Sequence, residues 1–163
     1  MVNKNSSVLM ITEEDIEQLL TEWGNVPRWV KAHVSAKCPA HRYEGELMLN
    51  AESLIFRGRD IREGKDCELE LLLNCITEVY IGFSEYLKAS IDPAFGMGGP
   101  EPFAIRYKNN GDSQTLYFNT SSDRYPPHRR INNLRWYEIL DTIVTECRLP
   151  KLEGIRNQVF AHV

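Results

Sequence analysis

The chain has 163 residues, 42% of them hydrophobic and 26% charged, with 19 Lys and Arg against 23 Asp and Glu. That length fits one domain, residues 1–163, able to bury roughly 70% of the surface its unfolded chain exposes. No run approaches the ~20 consecutive apolar residues that span a bilayer, and Met1 to Ser7 lacks the apolar core of a signal peptide, which predicts a cytoplasmic protein.

Thr12 precedes Glu13, Glu14 and Asp15, an N-cap followed by acids in a first turn, where the positive end of the helix dipole favours them. Ile16, Leu19, Leu20 and Trp23 then recur at helical spacing up to Gly24, predicting an amphipathic helix over 12–23. Its five acids, Glu13, Glu14, Asp15, Glu17 and Glu22, fall off the apolar stripe and read as a solvated face. The chain beyond residue 23 holds equal numbers of acids and bases. Such a body lacks the broad positive field that draws a protein to nucleic acid, so no nucleic-acid partner is expected. Trp29 to Val34, between Pro27 and Pro39, reads as a short strand.

From Tyr43 the period changes from 3.6 to 2. Leu47 and Leu49 alternate with Glu46 and Met48, Asn50-Ala51-Glu52 makes a turn, and Leu54 and Phe56 alternate with Ile55 and Arg57, a hairpin. Cys67, Leu69, Leu71 and Leu73 alternate with Glu68 and Glu70 in the clearest strand of the chain. Ile76, Val79, Ile81 and Phe83 form the next, with a phase change near Thr77-Glu78 that fits a turn or bulge. Residues 84–102 read as a strand at Tyr86 to Ile91 and then a Pro- and Gly-rich loop. Phe103, Ile105 and Tyr107, the turn Asn109-Asn110-Gly111-Asp112, and Leu116 with Phe118 make a second hairpin, since Asn-Gly tolerates the positive φ of a tight turn.

After Pro126-Pro127, Leu134, Trp136/Tyr137, Leu140, Ile143/Val144 and Cys147 keep a 3–4 spacing up to Pro150. This predicts a helix capped by Asn132 or Asn133, with a short apolar tail over 148–163. Six or seven short strands closed by one amphipathic helix make a mainly-β protein, a barrel with a helix.

Tyr43-Glu44-Gly45-Glu46-Leu47-Met48-Leu49 followed by Leu54-Ile55-Phe56-Arg57 resembles the opening hairpin of the GRAM and bacterial members of the pleckstrin-homology-like superfamily. Leu69 to Leu73 with Ile76-Thr77-Glu78-Val79, the hairpin ending Leu116-Tyr117-Phe118 and a terminal helix bearing Trp136 are similar to later parts of that fold. The resemblance covers residues 43–147, with 1–42 as an N-terminal helical extension. It implies a partly open barrel of two antiparallel sheets plugged by the C-terminal helix, with Trp136 as the core plug.

Chemistry is sparser. The chain has no Gly-x-Ser-x-Gly, Walker loop or paired-His zinc helix. Gly96-Met97-Gly98-Gly99 precedes Pro100 and reads as a surface loop rather than a phosphate cradle. His33, His41, His128 and His162 lack partners at diagnostic spacing. Cys38, Cys67, Cys75 and Cys147 form no CxxC pair and read as reduced thiols, Cys67 and Cys147 in the core. Cys38-Pro39-Ala40-His41 lacks a second ligand pair, so no metal or cofactor is expected. Arg124, His128, Arg129 and Arg130 form one basic cluster, and Arg57 and Arg59 begin another that Asp60, Glu63 and Asp66 interrupt. Arginine forks suit phosphate, making these six the anion or lipid candidates. The loop Leu49 to Ser53, where the family's phosphoinositide binders carry bases, has none. The expectation is a non-catalytic module that binds a protein or peptide through a strand edge or the 84–102 loop. The alternatives are a peripheral binder of anionic membrane lipid and a small-molecule-binding protein or enzyme. Self-association through the apolar tail or an open edge is a further expectation.

Overall fold

The computed structural model describes residues 4–21, 41–85, 87, 101–120 and 131–147. Its strands are β1 (Lys4–Thr12), β2 (Tyr43–Leu49), β3 (Ser53–Asp60), β4 (Lys65–Leu72), β5 (Ile76–Ile81), β6 (Phe103–Asn109) and β7 (Asp112–Thr120). Helix α1 (Glu13–Thr21) follows β1 directly, and residues 131–147 form α2. Every strand pair is antiparallel, in one continuous sheet of order β4-β3-β2-β1-β7-β6-β5.

That order corrects two expectations. The sheet starts at Lys4 rather than at residue 43, so the hairpin of β2 and β3 is not its opening. The two expected sheets are also one, because β1 pairs with β2 on one side and with β7 on the other. Val8 to Ile11 are four consecutive buried residues, the pattern of a strand covered on both faces, and they carry no alternation to announce a strand.

Local chemistry sets the turns. Between β2 and β3, Asn50 Oδ1 accepts from the Glu52 and Ser53 N–H groups at 2.9 and 2.7 Å, an Asx turn. Asn110 (φ 50°) and Gly111 (φ 94°) join β6 to β7, the left-handed pair that a two-residue hairpin turn needs. The phase change expected near Thr77-Glu78 is a bulge between Ile76 and Glu78, after a 3₁₀ turn at Leu73–Cys75. Gly45 and Gly58 face each other across β2 and β3, and a Cβ on either would run into the other strand's backbone.

The curled sheet encloses a core from Val8, Met10, Leu47, Phe56, Phe103 and Phe118, with Trp136, Leu140 and Val144 of α2 inserted. Those three lie at i, i+4 and i+8, one helix face. Trp136 is fully buried and stacks on Phe103 with centroids 6.0 Å apart, Phe103 stacks on Phe118 at 5.3 Å, and Lys4 Nζ sits 4.7 Å from the indole. Burial, reinforced by Arg135, lowers the pKa of Lys4. The expected stripe shifts in two places. Leu134 is 45% exposed and Cys147 is exposed, so that thiol is not in the core. Asn133 lies inside α2 and is no cap. Its Oδ1 accepts from the Thr120 N–H and Oγ1–H at 2.9 and 3.1 Å, and its Nδ2 donates to the Glu101 carbonyl and Asn119 Oδ1.

On the outer face, Leu9, Ile11, Ala104 and Tyr117 form a second buried layer with Ile16 of α1 and Leu87. Thr12 caps α1 as expected: its Oγ1 accepts from the Asp15 N–H at 3.0 Å while Asp15 Oδ2 reaches back to the Thr12 hydroxyl and N–H. The acids of α1 are not all solvated, however. Asp15 is buried, and Glu13 Oε1 accepts from the hydroxyls of Ser84 and Tyr117. Leu87, within the strand expected at Tyr86 to Ile91, is helical rather than extended. Trp23, the strand at 29–34, the rest of 86–100 and the tail at 148–163 lie outside the described residues.

Trp136→Ala should cost about 3–5 kcal/mol in urea melts, by removing a fully buried ring that the curled sheet cannot collapse to replace. The indole Nε1 has no hydrogen-bond partner among the described residues, so Trp136→Phe sacrifices no bond there and should cost less than Trp136→Ala.

Candidate functional site

Direct pairing puts residues of neighbouring strands on the same face of a sheet. Glu46, Arg57 and Glu68 thus form one row across β2, β3 and β4, and Glu44, Arg59 and Asp66 form a second. A third row runs Met48, Ile55, Glu70. These rows occupy the outer face beyond the layer roofed by α1. Five acids against two bases leave it net negative.

The two arginines among the site candidates are engaged within this face. Arg57 donates to both Glu68 carboxylate oxygens at 3.0 and 3.2 Å, which raises its pKa. Arg59 donates to the Gly64 carbonyl at 3.0 Å. They border an open groove of about 560 Å³, shared with Glu44, Asp66, Cys67 and Glu68. Such a lining opposes a phosphate rather than receiving one. Arg124, His128, Arg129 and Arg130 lie outside the described residues. Burial raises the Cys67 pKa, with the nearby carboxylates of Asp60 and Asp66 adding to it, so the thiol stays protonated and weakly nucleophilic.

β4 is the outermost strand beyond β3. From Lys65 to Leu72 its far side pairs with no strand among the described residues. Its side chains alternate: Asp66, Glu68, Glu70 and Leu72 are exposed outward, while Cys67 and Leu69 are half-buried against the core. Leu72 is 49% exposed. Asp66 and Glu70 make no ion pair among the described residues. An uncovered strand side presents a row of unpaired N–H and C=O groups, the template for another strand.

The Lys65 end of this edge is held by an ion cluster. Arg42, just before β2, donates to Asp60 Oδ2 through Nε and Nη2 at 2.9 and 2.7 Å and to Asp15 Oδ1 through Nη1 at 2.7 Å. Its guanidinium also lies 5.2 Å from the Tyr43 ring centre. The bond to Asp60 raises the Arg42 pKa against the cost of burial. Burial is the largest influence on Asp60 and pushes it up, but Arg42 and the N–H groups of Glu63 and Arg62 outweigh it and hold the carboxyl below its ordinary 3.8. Tyr43 is pushed up to about 12 by burial, with Asp15 adding to the effect. The cluster ties α1 to the ends of β2 and β3, which fixes where β4 begins.

Two other places gather polar groups. Ser84, Tyr117 and Glu13 share hydrogen bonds, and burial raises the Tyr117 pKa; their bonds fasten the segment after β5 to the sheet and to α1. A cleft of about 390 Å³ lies between α1 and the β6–β7 hairpin, with Glu13, Glu14, Glu17 and Asp112 on its walls. Among the described residues no group of three His, Cys, Asp or Glu side chains is arranged to hold a metal ion. His41 is buried with Nε2 2.7 Å from Glu44 Oε1, a packing role. No helix among the described residues is long and apolar enough to cross a membrane.

No protein-family model matches the chain, and no curated protein matches it. Sequence reading placed Glu68 and Glu70 on the solvent side of a strand but gave them no role, because strand order decides which strand is outermost.

Arg42→Met leaves Asp15 and Asp60 buried without their cation and should cost about 3 kcal/mol. Because the folded-state pKa of Asp60 lies below the unfolded one, its contribution is complete above the ordinary value and is lost as pH falls through the folded value. Urea melts from about pH 5 to about pH 2 should show this loss, and Asp60→Asn, less stable at the outset, should show a shallower one.

Proposed function

We propose that the protein is a non-catalytic interaction module that binds an extended segment of a protein partner by strand addition along β4. The observation that carries this reading is the eight-residue side of β4 that pairs with no strand among the described residues, with half-buried Cys67 and Leu69 on one face and exposed Leu72 at its end. Main-chain hydrogen bonds to such a side supply affinity, and alternate side-chain positions supply selectivity.

We read the barrel itself as pleckstrin-homology-like. What supports this is a seven-strand antiparallel order that opens between β4 and β5, and a C-terminal helix that buries Trp136 in the core. On that reading β1 is the first barrel strand and residues 13–42 are an insertion between the first and second strands. A catalytic reading finds less support, since the hydroxyl and carboxylate groups that come together at Ser84, Tyr117 and Glu13 are committed to fastening the fold. An anionic-lipid reading is weakened by the engagement of Arg57 with Glu68 and by the acids that surround Arg59.

A photo-crosslinking residue replacing Leu72 should capture a discrete protein adduct in the native host, and the same residue replacing Lys108, exposed at the far hairpin, should not. Identical adduct patterns from both positions, or none from Leu72, would overturn strand addition at β4.

A further inference from the structure

We infer that the segment received by β4 is basic on alternate residues, with apolar residues between. This rests on the strand-addition reading above and specifies the chemistry of the partner. Along each charged row, sign alternates from strand to strand: Glu46, Arg57, Glu68 in one and Glu44, Arg59, Asp66 in the next. Both rows end on an acid at the open side. The next strand in register continues the alternation with a cation opposite Asp66 and another opposite Glu68. The third row ends in Glu70, after Met48 and Ile55, and adds a carboxylate two residues on. Opposite-charge pairs directly across a ladder stabilise it, and like charges there destabilise it.

The inner face sets the intervening positions. Cys67 and Leu69 are half-buried and touch the core, so a neighbouring strand extends that apolar surface with its own inward side chains. The partner therefore reads basic, apolar, basic, apolar, basic across the stretch facing Asp66 to Glu70. Glu68 already shares its charge with Arg57, whereas Asp66 and Glu70 have no ion pair among the described residues. The selectivity thus sits at the two outer acids.

The same charges disfavour a second copy of this chain at the site. Pairing two β4 strands antiparallel about Glu68 sets Glu68 against Glu68 and Asp66 against Glu70, three like-charge contacts in a row. A heterologous cationic strand meets no such penalty.

The test uses the full chain and three capped seven-residue peptides that alternate valine with lysine, with glutamate or with serine. Binding is followed by fluorescence anisotropy and its location by amide hydrogen exchange. The lysine peptide should bind most tightly, slow exchange in β4, and weaken about tenfold as salt rises from low to about 0.5 M. In Asp66→Lys/Glu70→Lys, which replaces no member of the Arg57–Glu68 pair or of the Arg42 cluster, the lysine peptide should lose about tenfold and the glutamate peptide should gain. A gain cannot come from a damaged fold. If all three peptides protect β4 equally, strand addition stands and the cationic preference falls. If none protects β4, or if its amides are already protected in the free chain, the docking edge itself falls and the acids are merely a guard against edge-to-edge aggregation. Lysine-peptide binding with protection elsewhere overturns the placement.

Discussion

The structure depends on the pairing of β1 with two partners. Because Lys4–Thr12 lies between β2 and β7, one short strand joins the β2–β4 meander to the β5–β7 half. Remove it and β2 and β7 both become raw edges, while the cavity that receives Trp136 loses Val8 and Met10. With β1 in place, the sides left unpaired among the described residues move outward to β4 and β5. The central strand therefore decides where an added strand has room, although it touches none of the residues that would meet one.

Polar groups are allotted by the same geometry. Over β1, β7 and β6 the outer face is roofed by Ile16 and Leu87, and two carboxylates there are bonded: Glu13 to hydroxyls, Asp15 to Arg42 and the Thr12 cap. Over β2, β3 and β4 nothing apolar covers the face among the described residues, and there Arg57 pairs sideways with Glu68 across strands. Paired rows cost little in water and keep the face from sticking indiscriminately. They also leave surplus acid at the rim, where the sheet runs out of strands.

Much of the strand pattern was legible because it lies in local alternation. Leu47 and Leu49 facing Leu54 and Phe56, the Asn110-Gly111 turn and the Thr12 cap all follow from neighbours a few residues apart. β1 was not legible, since a strand buried on both faces shows no period, and its apolar run adjoins a well-capped helix. The stripe on α2 was too broad because Leu134 and Cys147 satisfy the same spacing as Trp136 and Leu140 but sit to one side of the buried line. Asn133 carries a helix-capping residue type yet spends its amide on β7 and the Glu101 carbonyl. The candidate edge was half legible: alternation put Glu68 and Glu70 outward, but only the order of strands makes β4 the last, and that order depends on β1.

The pairing of Val8 with Thr120 also links residues more than a hundred positions apart. A ribosome adding roughly 5–20 residues per second leaves the first strand waiting several seconds for its second neighbour. During that interval Val8 to Ile11 form an apolar stretch with at most one side satisfied, in a topology whose distant contacts already make folding slow. Nascent chains of this protein should thus lean on holdase chaperones until β7 has emerged, and their vulnerability should centre on the segment that later becomes the best-protected strand of the sheet.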